Sequence, residues 1–97
     1  MSAKLRELAM YMINVRLMPG PGPLDDRELR RSVREVAGTQ DGVQHVYAEV
    51  GADGADLVLF VSASTQAAAH AAARRVVTRS LRVESLRGWA IRDSAGD

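Results

Sequence analysis

The sequence predicts an α+β fold: a four-stranded antiparallel sheet with two helices on one face, in the order strand, helix, strand, strand, helix, strand. Three observations predict it. Two apolar runs, Val43–Val50 and Ala55–Ser62, flank an Asp-Gly pair that is a strong hairpin signal. Two segments have helical periodicity. A segment with strand periodicity precedes the first of them, and a short segment with strand composition follows the second. A chain of 97 residues provides one core, and the fold is therefore expected as a single domain.

The first strand is predicted over Tyr11–Met18, where apolar and more polar side chains alternate with the period of a half-buried strand. All the prolines of the chain follow in Pro19–Pro23, where fixed φ angles and missing N–H groups end the strand. The domain is accordingly expected to span residues 11–93. Residues 1–10 are interpreted as an N-terminal arm or short helix, and residues 94–97 as a frayed tail.

Both helices carry recognisable N-terminal signals. Asp25 followed by Glu28 is typical of a capped first turn, and this helix is expected to end at Gly38. Ser64 or Thr65 is expected to cap the second helix, which runs to about Leu81. The predicted buried stripes are Leu29, Val33, Val36 and Ala37 in the first helix, and Ala69, Ala72, Ala73, Val76 and Ser80 in the second.

The hairpin predicts which side chains share a face. With Asp53 and Gly54 at the centre of a type I′ turn, Ala52 faces Ala55 and the register of the whole hairpin follows. One face is then apolar, with the pairs Val50/Leu57, Ala48/Leu59 and Val46/Val61. The other face carries the pairs Glu49/Val58, Tyr47/Phe60 and His45/Ser62.

With Gly88–Arg92 as a final strand, the element order is that of the ferredoxin-like βαββαβ plait, in which the first and third strands are central. The sheet face opposite the helices is called the open face below. It is expected to present Met12, Asn14, Arg16, Met18, His45, Tyr47, Glu49, Val58, Phe60 and Ser62, with Ala90 and Arg92 from the last strand.

The open face is apolar enough to predict a binding partner, because monomeric proteins rarely expose large apolar patches. We therefore expect a homodimer formed by packing two such faces, and a function as an interaction or regulatory module without its own catalysis. The expected interface residues are Met12, Met18, Tyr47, Val58 and Phe60.

An enzyme is the alternative from a different class. His45 is a candidate for proton transfer, and Asn14, Arg16 and Tyr47 on the same face are suited to bind or orient an oxygen. In size and element order the chain resembles small ferredoxin-like monooxygenases and cyclases. That resemblance implies a dimeric biosynthetic enzyme acting on a polyketide-like carbonyl substrate at the open face.

Two further resemblances bear on ligands. The segment Asp41–Val46 resembles the Gly-Val-x-x-Val start of the second strand in heavy-metal-associated domains, but those domains use a cysteine pair and this chain has no cysteine. His45 and Glu49 lie about 13 Å apart along one strand, too far to share a metal, so no metal or cofactor is expected. The Pro-Gly loop is similar in position to the ligand loop of ACT domains, which implies an ACT-like small-ligand sensor as a further alternative.

Composition narrows the possible partners. The formal net charge is +1, and the arginines of the two helices are balanced by nearby glutamates or complement a helix dipole, which does not favour nucleic-acid binding. The first strand also lacks the aromatic side chains of RNA-binding plaits. No segment has the apolar length of a membrane span. A cytoplasmic setting is expected, and the lack of cysteine is compatible with it.

Overall fold

A computed structural model describes residues 7–92 of the chain. Its strands and helices follow the predicted order. They are β1 Ala9–Met18, α1 Asp26–Val36, β2 Val43–Gly51, β3 Gly54–Ala63, α2 Gln66–Ser80 and β4 Ala90–Ile91. Two single 3₁₀ turns, Thr39–Asp41 and Glu84–Leu86, precede β2 and β4.

The four strands form one antiparallel sheet in the order β2-β3-β1-β4, so β1 and β3 are central. This confirms the predicted α+β class and the ferredoxin-like arrangement of a four-stranded sheet with two helices. Both helices lie on the same side of the sheet, because α1 contacts β2, α2 contacts β1 and β3, and the helices contact each other. The opposite side of the sheet is the open face.

The core lies between the sheet and the two helices. Odd-numbered side chains of β1 and β3 alternate into it, as the period of two requires. The helix residues predicted to be buried lie in this core or against it. The buried apolar residues are Ile13, Val15, Leu17, Leu29, Val33, Val46, Ala55, Leu57, Leu59, Val61, Ala69, Ala72, Ala73, Val76, Val77, Leu86 and Trp89.

Both helices begin at the capping residues read from the sequence. An oxygen of the Asp25 carboxylate accepts the Glu28 N–H at 2.8 Å, and the Thr65 hydroxyl accepts the Ala68 N–H at 3.0 Å. Each bond satisfies one donor of a first helical turn that has no intrahelical partner. Among residues 7–92 no helix is both long and apolar enough to cross a membrane.

The register of the β2–β3 hairpin differs from the predicted one by two residues. Gly51 faces Gly54, and the turn is Ala52-Asp53 rather than Asp53-Gly54. No residue other than glycine has positive φ in the described part of the chain, so a type I′ turn is not formed. Gly54 instead takes φ 137°, next to the Leu17 carbonyl oxygen that a Cβ would strike.

A shift of two residues keeps each side chain on its predicted face but changes its partners. His45 faces Phe60 rather than Ser62, Tyr47 faces Val58, and Glu49 faces Asp56. A bulge between Val43 and His45 ends the regular pairing of β2.

The two end strands also differ in length from the prediction. β1 begins at Ala9, so the last two residues of the predicted arm belong to the strand, whereas residues 1–6 lie outside the described residues. β4 is limited to Ala90–Ile91 instead of Gly88–Arg92, and Trp89, just before it, is buried in the core. The predicted tail, residues 94–97, lies outside the described residues as well.

The Pro-Gly loop packs against the chain just before β4. A Cβ at Gly20 would lie 2.5 Å from Cδ1 of Trp89, and a Cβ at Gly88 would strike the ring of Pro21. Gly88 also has φ 86°, a left-handed conformation that favours glycine. The loop therefore closes one end of the core beside β4.

Candidate functional site

The open face is formed by the even-numbered residues of β1 and β3 and the odd-numbered residues of β2 from His45 onward. Its apolar side chains remain accessible: Met12 is 60% exposed and Tyr47 is 56% exposed. Met10 and Met18, also on this face, are 55% and 46% exposed. All the large exposed hydrophobic residues of the described chain except Leu8 therefore lie on one surface.

Three rings form an aromatic cluster on the β2–β3 part of this face: His45, Tyr47 and Phe60. The Tyr47 and Phe60 rings meet edge to face with their centroids 5.8 Å apart, and the His45 ring lies 6.4 Å from each of them. Edge-to-face contacts of this kind add to the stability gained by burial. Met12 faces Phe60 from β1 and extends the apolar surface across the sheet.

The hairpin end of the face is charged. An Arg16 guanidinium nitrogen lies 2.9 Å from a carboxylate oxygen of Asp56, and Arg16 also donates to the Asp53 carbonyl at 3.3 Å. Asp56 was missed in the sequence prediction, although the alternation that placed Val58 and Phe60 on this face also places Asp56 there. The pair holds Arg16 against its own sheet.

The four candidate catalytic residues share the open face but lie in three different rows of it. His45 lies in the Met12–Phe60 row, Tyr47 and Asn14 lie on either side of Val58, and Arg16 lies in the Asp56 row. From strand spacings, Asn14 is about 10 Å from Tyr47 and His45 is about 16 Å from Arg16. At this separation, and with Arg16 paired to Asp56, His45 and Arg16 do not contact a common reacting atom.

Three of the candidate catalytic residues also line different surface grooves. Tyr47 lines a groove of about 310 Å³ with Glu49, Asp56 and Val58. His45 lines a groove of about 240 Å³ on the other side of β2, beside the end of α1. Arg16 lines a third groove of about 290 Å³ at the hairpin turn.

The predicted interface residues also separate into two groups. Met12, Tyr47, Val58 and Phe60 are neighbours through the paired strands. Met18 lies beside Ala90 at the far end of β1, about 20 Å from Met12 along the strand. A partner that covers the aromatic cluster therefore reaches Met18 only if it covers the full length of the face.

A buried carboxylate that the sequence prediction missed lies outside the open face. The Asp41 side chain is 2% exposed and accepts the Gly38 N–H at 2.7 Å. Guanidinium groups of α2 reach it from the other side: Arg79 at 2.6 Å and Arg75 at 3.6 Å. Burial raises the pKa of Asp41, but the Gly38 bond and the two arginines outweigh burial and hold the pKa below its ordinary value of 3.8. Asp41 thus ties the turn before β2 to α2.

The part of the chain described by the structure contains no group of three or more His, Cys, Asp or Glu residues placed to hold a metal ion. Comparison with protein-family models, with curated proteins and with solved structures finds no significant match.

Proposed function

We propose that this protein is a small homodimeric interaction or regulatory module whose open face packs against the open face of a second copy. The observation that carries the proposal is the collection of Met10, Met12 and Tyr47 on one surface, with Phe60 and Val58 half-buried between them. Met18 lies on the same face beyond Arg16. Scattered exposed hydrophobic residues are ordinary in a monomer, whereas a contiguous patch calls for a partner.

A second copy fits the shape and charge of this surface. Two flat sheets pack face to face about 10 Å apart, and the apolar side chains of two such faces interdigitate. Because the charged pair Arg16–Asp56 lies at one end of the face, a two-fold axis through the aromatic cluster leaves the charges at the rim. The apolar centres then meet.

The size of the face sets the expected affinity. Three strands at ~4.8 Å spacing and about nine residues at ~3.3 Å give a plane of roughly 400 Å² per copy. Two such planes with their side-chain relief bury on the order of 1,000 Å², which is near the low end of stable interfaces. We therefore expect a dimer with a dissociation constant in the micromolar range.

The proposal places the module in the cytoplasm and assigns no catalysis to it. The enzyme alternative would use His45, Tyr47, Asn14 and Arg16, but their separation and the Arg16–Asp56 pair do not favour it. No observation in the Pro-Gly loop favours an ACT-like ligand site, since the loop packs against Gly88 and Trp89.

Sedimentation equilibrium of the parent and of Phe60→Glu tests the proposal. The introduced carboxylate would place an unpaired charge in the interface, so the dissociation constant should rise about a hundredfold or more, about 3 kcal/mol. Ala71→Glu on the exposed surface of α2 is the matched control and should leave the mass unchanged. Tyr47→Glu at a more exposed position should act in the same direction as Phe60→Glu, with less risk to the fold. A parent that stays monomeric at 100 μM (on the order of a hundred times the expected constant) contradicts the proposal.

A further inference from the structure

Among the strands of residues 7–92, none lies beside one edge of β1 over most of its length. β1 pairs with β3 from Ala9 to Leu17 but with β4 only at Leu17 and Met18. The Arg92 N–H donates to the Arg16 carbonyl at 2.8 Å, which shows that the backbone groups of Arg16 point away from β3.

Backbone groups of successive strand residues alternate in direction. The N–H and C=O groups of Met10, Met12 and Asn14 therefore point away from β3 as well. No described residue pairs with them. These three residues define the free edge.

The free edge lacks three devices that protect natural sheet edges: proline, charged side chains and a bulge. Between Ala9 and Val15 there is no proline and no charged residue, and the pairing with β3 continues without a bulge. The opposite edge of the sheet, on β2, is protected. It has the bulge between Val43 and His45, and the Val50 N–H is bound by a carboxylate oxygen of Asp26 at 2.7 Å.

We propose that the free edge pairs antiparallel with the free edge of a second copy, so that two sheets join into one. Met12 then faces Met12 of the partner subunit, and Met10 faces Asn14 of the partner subunit. Each of the three facing pairs exchanges two backbone hydrogen bonds. A shift of two residues toward Arg16 would pair Met10 with Arg16 and is blocked, because β4 already occupies the edge there. A shift toward Leu8 would pair Asn14 with Leu8, which lies outside β1.

Symmetry favours the free edge of a second copy as the partner of the free edge. Pairing of the free edge with β2 of another molecule would be head-to-tail and would propagate, and the Asp26 bond and the bulge oppose it. Pairing of the free edge with itself is isologous and closes after two copies.

This contact is separate from the packing of open faces. Edge pairing places two open faces side by side on the same surface of a continuous sheet. If faces also pack, the assembly is a tetramer with two kinds of interface, and each kind can be removed separately.

Amide hydrogen exchange of the full chain, followed by NMR over a dilution series, tests the proposal. The N–H groups of Met10, Met12 and Asn14 should be protected at high concentration and lose protection on dilution. The Val46 and Ala48 N–H groups point away from β3 on the opposite edge, and their exchange serves as the control that should not depend on concentration. Protection of the free edge that does not depend on concentration would assign its occupant to the same chain and overturn the proposal. Fast exchange at all concentrations would overturn it too.

Met12→Pro and Met12→Ala form a matched pair of variants for a mass measurement in the Phe60→Glu background. Proline removes an N–H that makes no bond within the sheet, so the monomer is expected to fold, which circular dichroism checks. Met12→Pro should raise the dissociation constant of the edge dimer about tenfold or more. Met12→Ala keeps the N–H and should leave the dimer largely intact.

Equal weakening by both variants would show that the Met12 side chain and not the edge makes the contact, and would overturn the proposal. If Phe60→Glu leaves the parent mass unchanged while Met12→Pro lowers it, face packing fails and edge pairing stands. The reverse result leaves face packing in place and refutes edge pairing.

Discussion

Asp41→Asn is the substitution whose effect on the free energy of unfolding the structure defines best. It keeps the shape of the side chain but removes the charge that Arg79 and Arg75 contact at 2.6 and 3.6 Å. Removing one partner of a fully buried ion pair costs about 3–5 kcal/mol. The two arginine side chains are 39% and 55% exposed and remain partly hydrated, so the expected loss is smaller, about 2 kcal/mol.

Thermal unfolding monitored by circular dichroism measures this loss. For a domain of this size, 2 kcal/mol corresponds to a fall in Tm of about 8–16 °C. Asp56→Asn is the control, because its pair with Arg16 is 59% and 34% exposed and should contribute less than about 1 kcal/mol. Equal shifts for the two variants would refute the assignment of Asp41 as a structural clamp.

The same substitution should change how stability depends on pH. Because the pKa of Asp41 in the folded protein lies below the ordinary value of 3.8, its ionised form stabilises the fold above that pH. This contribution is lost as the pH falls through the folded-state pKa. The parent should therefore lose its advantage over Asp41→Asn below about pH 4, and a difference in stability that stays constant from pH 7 to pH 2 would contradict the argument.

Other predictions concern the turns and the open face. Gly20→Ala should cost about 1–3 kcal/mol in urea unfolding because its Cβ meets the indole at 2.5 Å, whereas Gly22→Ala has open space and should cost little. Gly54→Ala should lower the free energy of unfolding by about 3 kcal/mol, since φ is 137° and a carbonyl of β1 blocks the Cβ. Gly51→Ala is the unstrained control, and equal losses for the two variants would contradict the assigned turn. His45→Ala should lower the free energy of unfolding by about 0.2–1 kcal/mol and leave the metabolites of cells that express the protein unchanged. An intermediate that accumulates only in cells with the variant would make the open face an active site.

The sheet face on which each side chain lies was predictable from the sequence. The residue-to-residue pairing of β2 with β3 was not. Period-two alternation assigned His45, Tyr47 and Phe60 to the open face, and that assignment holds in the structure. The Asp-Gly pair indicated a hairpin but not which of its residues takes the positive φ. Because a two-residue shift preserves every face, nothing in the alternation distinguished the two registers.

Contacts between distant segments were also beyond the sequence pattern. The helical arginines were interpreted as balanced by nearby glutamates or as complements to a helix dipole, but Arg79 reaches a buried carboxylate 38 positions earlier in the chain. Neither residue has a local signal for that contact. Trp89 was assigned to a strand from its composition, whereas its ring is buried and β4 begins after it, at Ala90.

The most direct test of the proposed function is an isotope-filtered NMR measurement on an equimolar mixture of labelled and unlabelled protein. It detects contacts between protons of different copies only. If open faces pack together, the rings of Tyr47 and Phe60 should show contacts to methionine methyl groups of the other copy. Phe60→Glu should abolish these contacts while the spectrum of the folded domain persists. A dimer whose intermolecular contacts come from α1 or α2, with none from the rings of the open face, would contradict the proposal.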